Sequence, residues 1–252
     1  MHRAIISGIA IAILCSVVGL FLVLRRYSLF GDAIAHSSFG GIALGLMAGI
    51  YPLWTAYGVS IISALIMTRI KDRFNISGDA SIAVLLSSGI AVGLVIIGLS
   101  GGFTLDIFSF LFGSILLVSV NDTILILSLT GIILIVILLL YRQLLYSTFN
   151  EEQAKVSGVS VEKINYLIVF MAGITVVTSI QLVGVLLISA LFVIPNVTAI
   201  ISMSFSIFSV VAGILISYIF DITPAGTIVL FAIGIFACTM GIKSAGLLSR
   251  HN

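Results

Sequence analysis

"RRYSLFGDAIAHSSFG", residues 25–40, decides how the whole chain is read. Two arginines close one apolar run. Asp32 then stands near the head of the next, and His36 follows it four residues later. Around this stretch the chain is 61% hydrophobic and only 8% charged, with a mean hydropathy of +1.36. A soluble globule carries about 25% charged residues. So few charges cannot cover a water-facing surface, so most of the surface faces lipid and the arginines mark the end of a membrane span.

Working outward, about nine runs approach the ~20 apolar residues a spanning helix needs: residues 4–24, 33–50, 53–68, 80–99, 123–141, 164–180, 182–201, 203–220 and 222–242. The two runs on either side of Gln181 almost merge, which gives eight or nine spans. Residues 103–119 are also apolar but are broken by Asp106 and several Ser and Gly. They read as a re-entrant or interfacial piece on the outer face. Only helices satisfy their own backbone in lipid over such lengths. The fold class is therefore all-α, a polytopic transmembrane helical bundle, and residues 1–252 form a single membrane domain. The chain shows no repeat of 20–50 residues.

The basic residues fall in four groups: Arg25 and Arg26; Arg69, Lys71 and Arg73; residues 142–155 with Lys163; and Lys243 with Arg250. The alternate loops, at Tyr51-Pro52, residues 100–122 and residues 221–224, have no Lys or Arg. The positive-inside rule puts the four groups in the cytoplasm. The N-terminus is then outside and the C-terminus cytoplasmic. A net charge of +2 without a basic face argues against nucleic acid as a partner. Cys15 and Cys238 lie apart in apolar runs and read as small core residues.

Asp32 and His36 are spaced i, i+4 and share a helix face. An ionisable group inside a bilayer is costly and usually marks a pathway or a site. Two readings stand. Asp32 caps the helix while His36 bonds a neighbouring helix, or the two form a cation site. Carboxylate with imidazole suits first-row divalent metals. One chain supplies two ligands, whereas two facing copies supply the four of a tetrahedral site. The same helix carries Ser37, Gly41, Gly45 and Gly49 at four-residue spacing, a pattern that lets helices approach closely.

"FNEEQAKVSGV", residues 149–159, sits in the longest basic-side loop. Asn150 can cap a short helix, with Gln153 closing a capping box. Glu151 and Glu152 suit its first turn, and Gly158 suits its end. The reading is either a docking element for a cytoplasmic partner or a solvated linker. In residues 183–199, Pro195 and Asn196 interrupt an apolar run, and a kinked helix is the preferred reading over a ligand role for Asn196. The chain has no GxxxxGK[ST] or HExxH motif. It is therefore read as a transport subunit and not an enzyme, with no tightly bound cofactor.

"LRRYSLFGDAIAHSSFGGIALG" (residues 24–45), "LFGSILLVS" (residues 111–119) with Asp122, "FNEEQAKVSGV" and "VGVLLISALFVIPNVTA" (residues 183–199) follow one another along the chain. In this order they resemble the membrane permease subunit of ATP-binding-cassette importers for zinc, manganese or iron, over about residues 4–242. The resemblance implies a fold similar to the cobalamin-type importer permeases. It implies a homodimer in the cell membrane of a prokaryote, with cytoplasmic ATPase subunits and an extracytoplasmic metal-binding protein as partners. It further implies that Asp32 and His36 line the translocation path as a transient metal site. Residues near 149–160 become the coupling segment, with Asn150, Glu151, Glu152, Ala154 and Gly158 as docking residues. Ala154 and Gly158 match the family's usual Ala-x-x-x-Gly. Asn150 stands where members often have Asp. The divalent metal is then substrate, moved by ATP hydrolysis on the partner. The alternative is a gradient-driven secondary cation transporter, which usually shows two related halves; the chain shows no internal symmetry.

Overall fold

The computed structural model describes residues 2–25, 27, 29–74, 78–100, 102, 105–114, 118–198, 202–220 and 222–244. Arg26, Arg250 and residues 103, 199, 201 and 221, which bound segments read above, lie outside the described residues. The helices are α1 (His2–Leu24), α2 (Phe30–Ala48), α3 (Pro52–Phe74), α4 (Gly78–Leu99), α5 (Leu105–Phe112) and α6 (Val120–Phe149). They continue with α7 (Glu151–Val156), α8 (Val161–Val183), α9 (Ile188–Thr198), α10 (Ser202–Phe220) and α11 (Pro224–Ser244). No strand occurs among the described residues.

Eight of these helices have 19 residues or more. Five are long and apolar enough to cross a membrane on composition alone: Arg3–Leu24, Pro52–Lys71, Ala80–Leu99, Val120–Phe149 and Val161–Val183. Helix α2 falls short of that standard because it carries Asp32, His36, two serines and four glycines. It is sheltered by protein instead. Thirteen of its residues are buried, and it packs on α3 and α4 most extensively, with α8 and α9 behind it.

The run expected to span over residues 182–201 is divided differently. Helix α8 continues through Gln181 to Val183, and the break falls at Gly184 (φ 79°). Gly113 (φ 74°) lies directly against it. A Cβ on Gly184 would come within 2.4 Å of the Leu111 carbonyl oxygen, and one on Gly113 would come within 2.4 Å of the Leu182 carbonyl oxygen. Both positions need the left-handed backbone and the missing side chain. Ser114 N–H donates to the Gln181 carbonyl at 3.0 Å across this contact. A short 3₁₀ turn, Val185–Leu187, then leads into the eleven residues of α9. Eleven residues rise only ~17 Å, about half the hydrocarbon thickness. Irregular backbone at membrane depth persists only where protein covers it, and Val185, Ile188, Leu191 and Phe192 are all buried.

The segment read as re-entrant is α5, eight residues long, docked on that 3₁₀ turn and on the end of α8. Residues of two of the basic groups reach neighbouring elements at one end of the bundle. Arg25, after α1, donates to Ser147 and Thr148 in the last turn of α6, and Lys71, near the end of α3, donates to the Tyr27 hydroxyl. Cys15 is buried as read, but Cys238 is exposed. It lines an apolar cleft between α10 and α11 with Phe205, Phe208 and Leu230. The outer surface of a membrane bundle is itself apolar, so a small apolar residue does not say which way it faces.

Candidate functional site

Asp32 lies in the first turn of α2, where the helix dipole favours a negative charge. The N-cap residue is Leu29, whose side chain makes no cap hydrogen bond. One turn on, His36 Nε2 stands 3.8 Å from Asp32 Oδ1, with side chains 15% and 21% exposed for His36 and Asp32 respectively. Neither is sealed in the core, so both can be reached from outside the protomer. His2 and His251 are at the chain's ends, leaving His36 the sole imidazole of the interior sequence. Among the described residues, no three His, Cys, Asp or Glu side chains form a group that could hold a metal ion. The chain thus brings together one pair of candidate ligands.

The backbone under this pair is held closely. A Cβ on Gly89 of α4 would stand 2.6 Å from Ser37 Cα and 2.8 Å from the His36 carbonyl carbon. A Cβ on Gly41 would stand 2.9 Å from Ala56 Cα, and one on Gly45 would stand 2.8 Å from Pro52 Cα, both on α3. Gly49, the fourth residue of that stripe, has nothing within 4 Å of its Cβ position. It is the C-cap of α2 and not a packing residue. Ser37 Oγ donates to Ser63 Oγ at 2.5 Å. Small residues on α2 and α4 thus fix the Asp32–His36 backbone between two neighbours.

The segment at residues 149–160 has its own architecture. Asn150 ends α6 and starts α7, and its side chain accepts from Gln153 N–H at 3.0 Å. The reciprocal half of the expected capping box is replaced. Asn150 N–H donates to the Tyr146 carbonyl at 3.0 Å, because that donor still belongs to α6. At the other end, Gly158 takes φ 80°. Val159 N–H reaches the Ala154 carbonyl at 3.0 Å and Gly158 N–H reaches the Lys155 carbonyl at 3.1 Å, the two bonds of a Schellman cap. Glu151, Glu152 and Gly158 are exposed. Ala154 is fully buried against its own chain. Its methyl group seats α7 on the rest of the chain, and the surface offered outward is made by its neighbours. Val156, which the sequence did not single out, is 90% exposed on that surface.

Asn196 lies within α9, which runs unbroken from Ile188 to Thr198. Its Nδ2 donates to the Phe192 carbonyl at 2.7 Å, within α9, and packs where Gly19 leaves room on α1. Its Oδ1 is buried without a hydrogen-bond partner.

A polar cluster at the opposite end of the bundle was not anticipated. Tyr51 OH donates to Asp122 Oδ1 at 2.9 Å and accepts from Gln181 Nε2 at 3.2 Å. Ser119 and Asp122 form a complete capping box at the start of α6. Burial, then the hydrogen bond to Asp122, pushes the Tyr51 phenol up to about 12. The cluster ties together the starts of α3 and α6 and the end of α8. Its one legible signal was the Ser-x-x-Asp before an apolar run, a helix-start pattern.

With this geometry in hand, comparison with known proteins is specific. The model of the ABC 3 transport family matches residues 1–243. The manganese import system permease protein ScaB of Streptococcus parasanguinis is 33% identical over 267 residues, covering 100% of this chain and 95% of its own. The manganese transport system membrane protein MntC of Halalkalibacterium halodurans is 31% identical over 263 residues, covering 100% and 90%. Among solved structures, PsaBC from Streptococcus pneumoniae in complex with Fab superimposes with a TM-score of 0.84 at 32% identity, over 94% of this chain and 90% of the other.

Proposed function

The chain belongs to the ABC 3 transport family, as a multi-pass membrane permease, and from that premise we propose that it carries a divalent first-row metal ion, manganese first among them, into the cytoplasm. The observation that carries this reading is the Asp32–His36 pair, 3.8 Å apart on a helix enclosed by protein. Its relatives named for manganese cover the whole chain. Carboxylate and imidazole are ligands that manganese, iron and zinc accept. In this reading two protomers face each other and bring four such ligands to one ion. The site binds weakly and transiently, since conduction needs an ion that can leave.

The chain's own residues then divide the work. Asp32 supplies negative charge, and His36 supplies a neutral nitrogen that must be free of its proton to bind metal. The chain lacks a phosphate loop, so a separate ATPase on the basic, cytoplasmic side provides the driving force. We assign its docking to α7, whose exposed Glu151, Glu152 and Val156 form the contact face. A metal-binding protein delivers the ion at the Tyr51 end.

The deciding experiment is uptake by the reconstituted complex of permease, ATPase and binding protein. Manganese, zinc and ferrous iron are offered in turn, with and without ATP. ATP-dependent uptake of manganese supports the reading, and uptake driven by an ion gradient without ATP overturns it. For the docking face, Val156→Asp should cut co-purification of the ATPase while leaving the permease folded. Undiminished co-purification and transport would make α7 a linker.

A further inference from the structure

Arg25 follows the last residue of α1, and its guanidinium is a fork with both prongs engaged. Nε donates to Thr148 Oγ1 at 3.1 Å and Nη2 donates to Ser147 Oγ at 2.6 Å. Both hydroxyl protons are already committed, since Ser147 and Thr148 each donate to the Leu144 carbonyl, at 3.1 and 2.7 Å. Their lone pairs are therefore left for the arginine, and chained hydrogen bonds of this kind polarise one another. The cation sits at the C-terminal ends of α1 and α6 together, where both helix dipoles are negative. Burial opposes its charge, and Glu151, the first residue of α7, favours it.

The connection from α1 into α2 is held on its other flank as well. The Tyr27 hydroxyl accepts from Lys71 Nζ of α3, which also lies 4.6 Å from the centre of the tyrosine ring. Phe30 N–H, at the first residue of α2, donates to the Tyr27 carbonyl at 3.1 Å. Asp32 is two residues further on. Asn150 closes α6 and opens α7 at a single residue. A displacement of α7 therefore moves the last turn of α6, and that turn grips Arg25.

We propose that Arg25 is a positioning residue that carries movement of the docking helix α7 into α2, and so into the Asp32–His36 pair. This rests on the proposed function. Arg25 touches no ion in this account; it acts through the α6 corner on one side and the start of α2 on the other. Two-pronged engagement is a property of arginine that lysine reproduces only as a point charge.

The test uses the full complex in proteoliposomes, with manganese ions and ATP. The readout is metal imported per ATP hydrolysed, which a mere anchor would not move. Arg25→Gln should keep the assembly and its hydrolysis but lower that ratio about ten-fold, inside the range typical of coupling between sites. Arg25→Lys should recover part of it. The double variant Ser147→Ala/Thr148→Val removes the acceptors and leaves the charge. It should lower the ratio similarly, and adding Arg25→Gln to it should cost nothing more. If Arg25→Gln fails to assemble, the Ser147/Thr148 variant decides. An unchanged ratio in the Ser147/Thr148 variant, or uptake and hydrolysis falling together in any assembled variant, overturns the proposal. A wild-type complex that imports no metal with ATP overturns the functional reading beneath it. A wild type that imports, beside variants with an unchanged ratio, removes only the role of Arg25.

Discussion

Helices α2 and α6 are opposites. Helix α2 holds an acid, an imidazole and four glycines, and thirteen of its nineteen residues are buried. Helix α6 is thirty residues, half of them Ile or Leu, and only seven are buried. Those seven, from Thr123 to Ser147, fall three, four or seven residues apart, which is one narrow stripe. The rest face outward, with Leu138 at 74% and Leu139 at 78% exposure. In water the greasier helix would be the inner one. Here the solvent is hydrocarbon, so side-chain hydrophobicity gives no reason to go inside. Polar groups and small residues do, because the interior is where polar atoms find partners and backbones can meet. The helix with the weakest membrane signal is therefore the one that carries the candidate site.

The comparison can be broken most severely at the site itself. Asp32→Asn and His36→Ala should each abolish metal uptake, while the protein's assembly and its thermal midpoint in detergent stay near wild type. Near wild-type uptake by either variant would make the pair structural and α2 merely a packed helix. A charge on the other helix tests the converse. Leu138→Asp turns an acid toward lipid and should cost about 3 kcal/mol of insertion, read as loss of membrane-integrated protein. Normal insertion would mean that a partner protomer, not lipid, covers this face of α6.

Glycine substitutions sharpen the contrast at a smaller scale. Gly89→Ala pushes a methyl into the α2 backbone beside His36, where rigid atoms lie 2.6 Å from its Cβ. Overpacking of that kind typically costs 1–3 kcal/mol, so the thermal midpoint should drop and uptake with it. Gly131, in the middle of α6, has nothing within 4 Å. Gly131→Ala should leave uptake unchanged and raise the midpoint slightly, by no more than ~1 kcal/mol of helix propensity. Equal effects at the two glycines would erase the distinction between a packed and a lipid-facing helix.

Much of this was legible without coordinates. Composition dictated a membrane bundle, because 8% charged residues cannot make a water-facing surface. The arginines at 25 and 26 marked a span end, and the i, i+4 spacing put Asp32 and His36 on one face. Gly158 announced the end of α7, since its position calls for a left-handed residue. The tertiary structure decided what depends on contact between distant segments. Gln181 looked like a break, yet α8 runs through it, since the Tyr51 hydroxyl gives its side chain a partner. The actual break is at Gly184, where the backbone of residues 111–113 presses against it, a contact no local pattern encodes. Ala154 matched a docking motif but is buried in its own chain, and Val156 takes the exposed place. The gripping of Arg25 by Ser147 and Thr148 joins residues more than 120 positions apart. Residue chemistry and periodicity set which segments enter the membrane; only three-dimensional packing sets which of them face one another, because lipid rewards every apolar face alike.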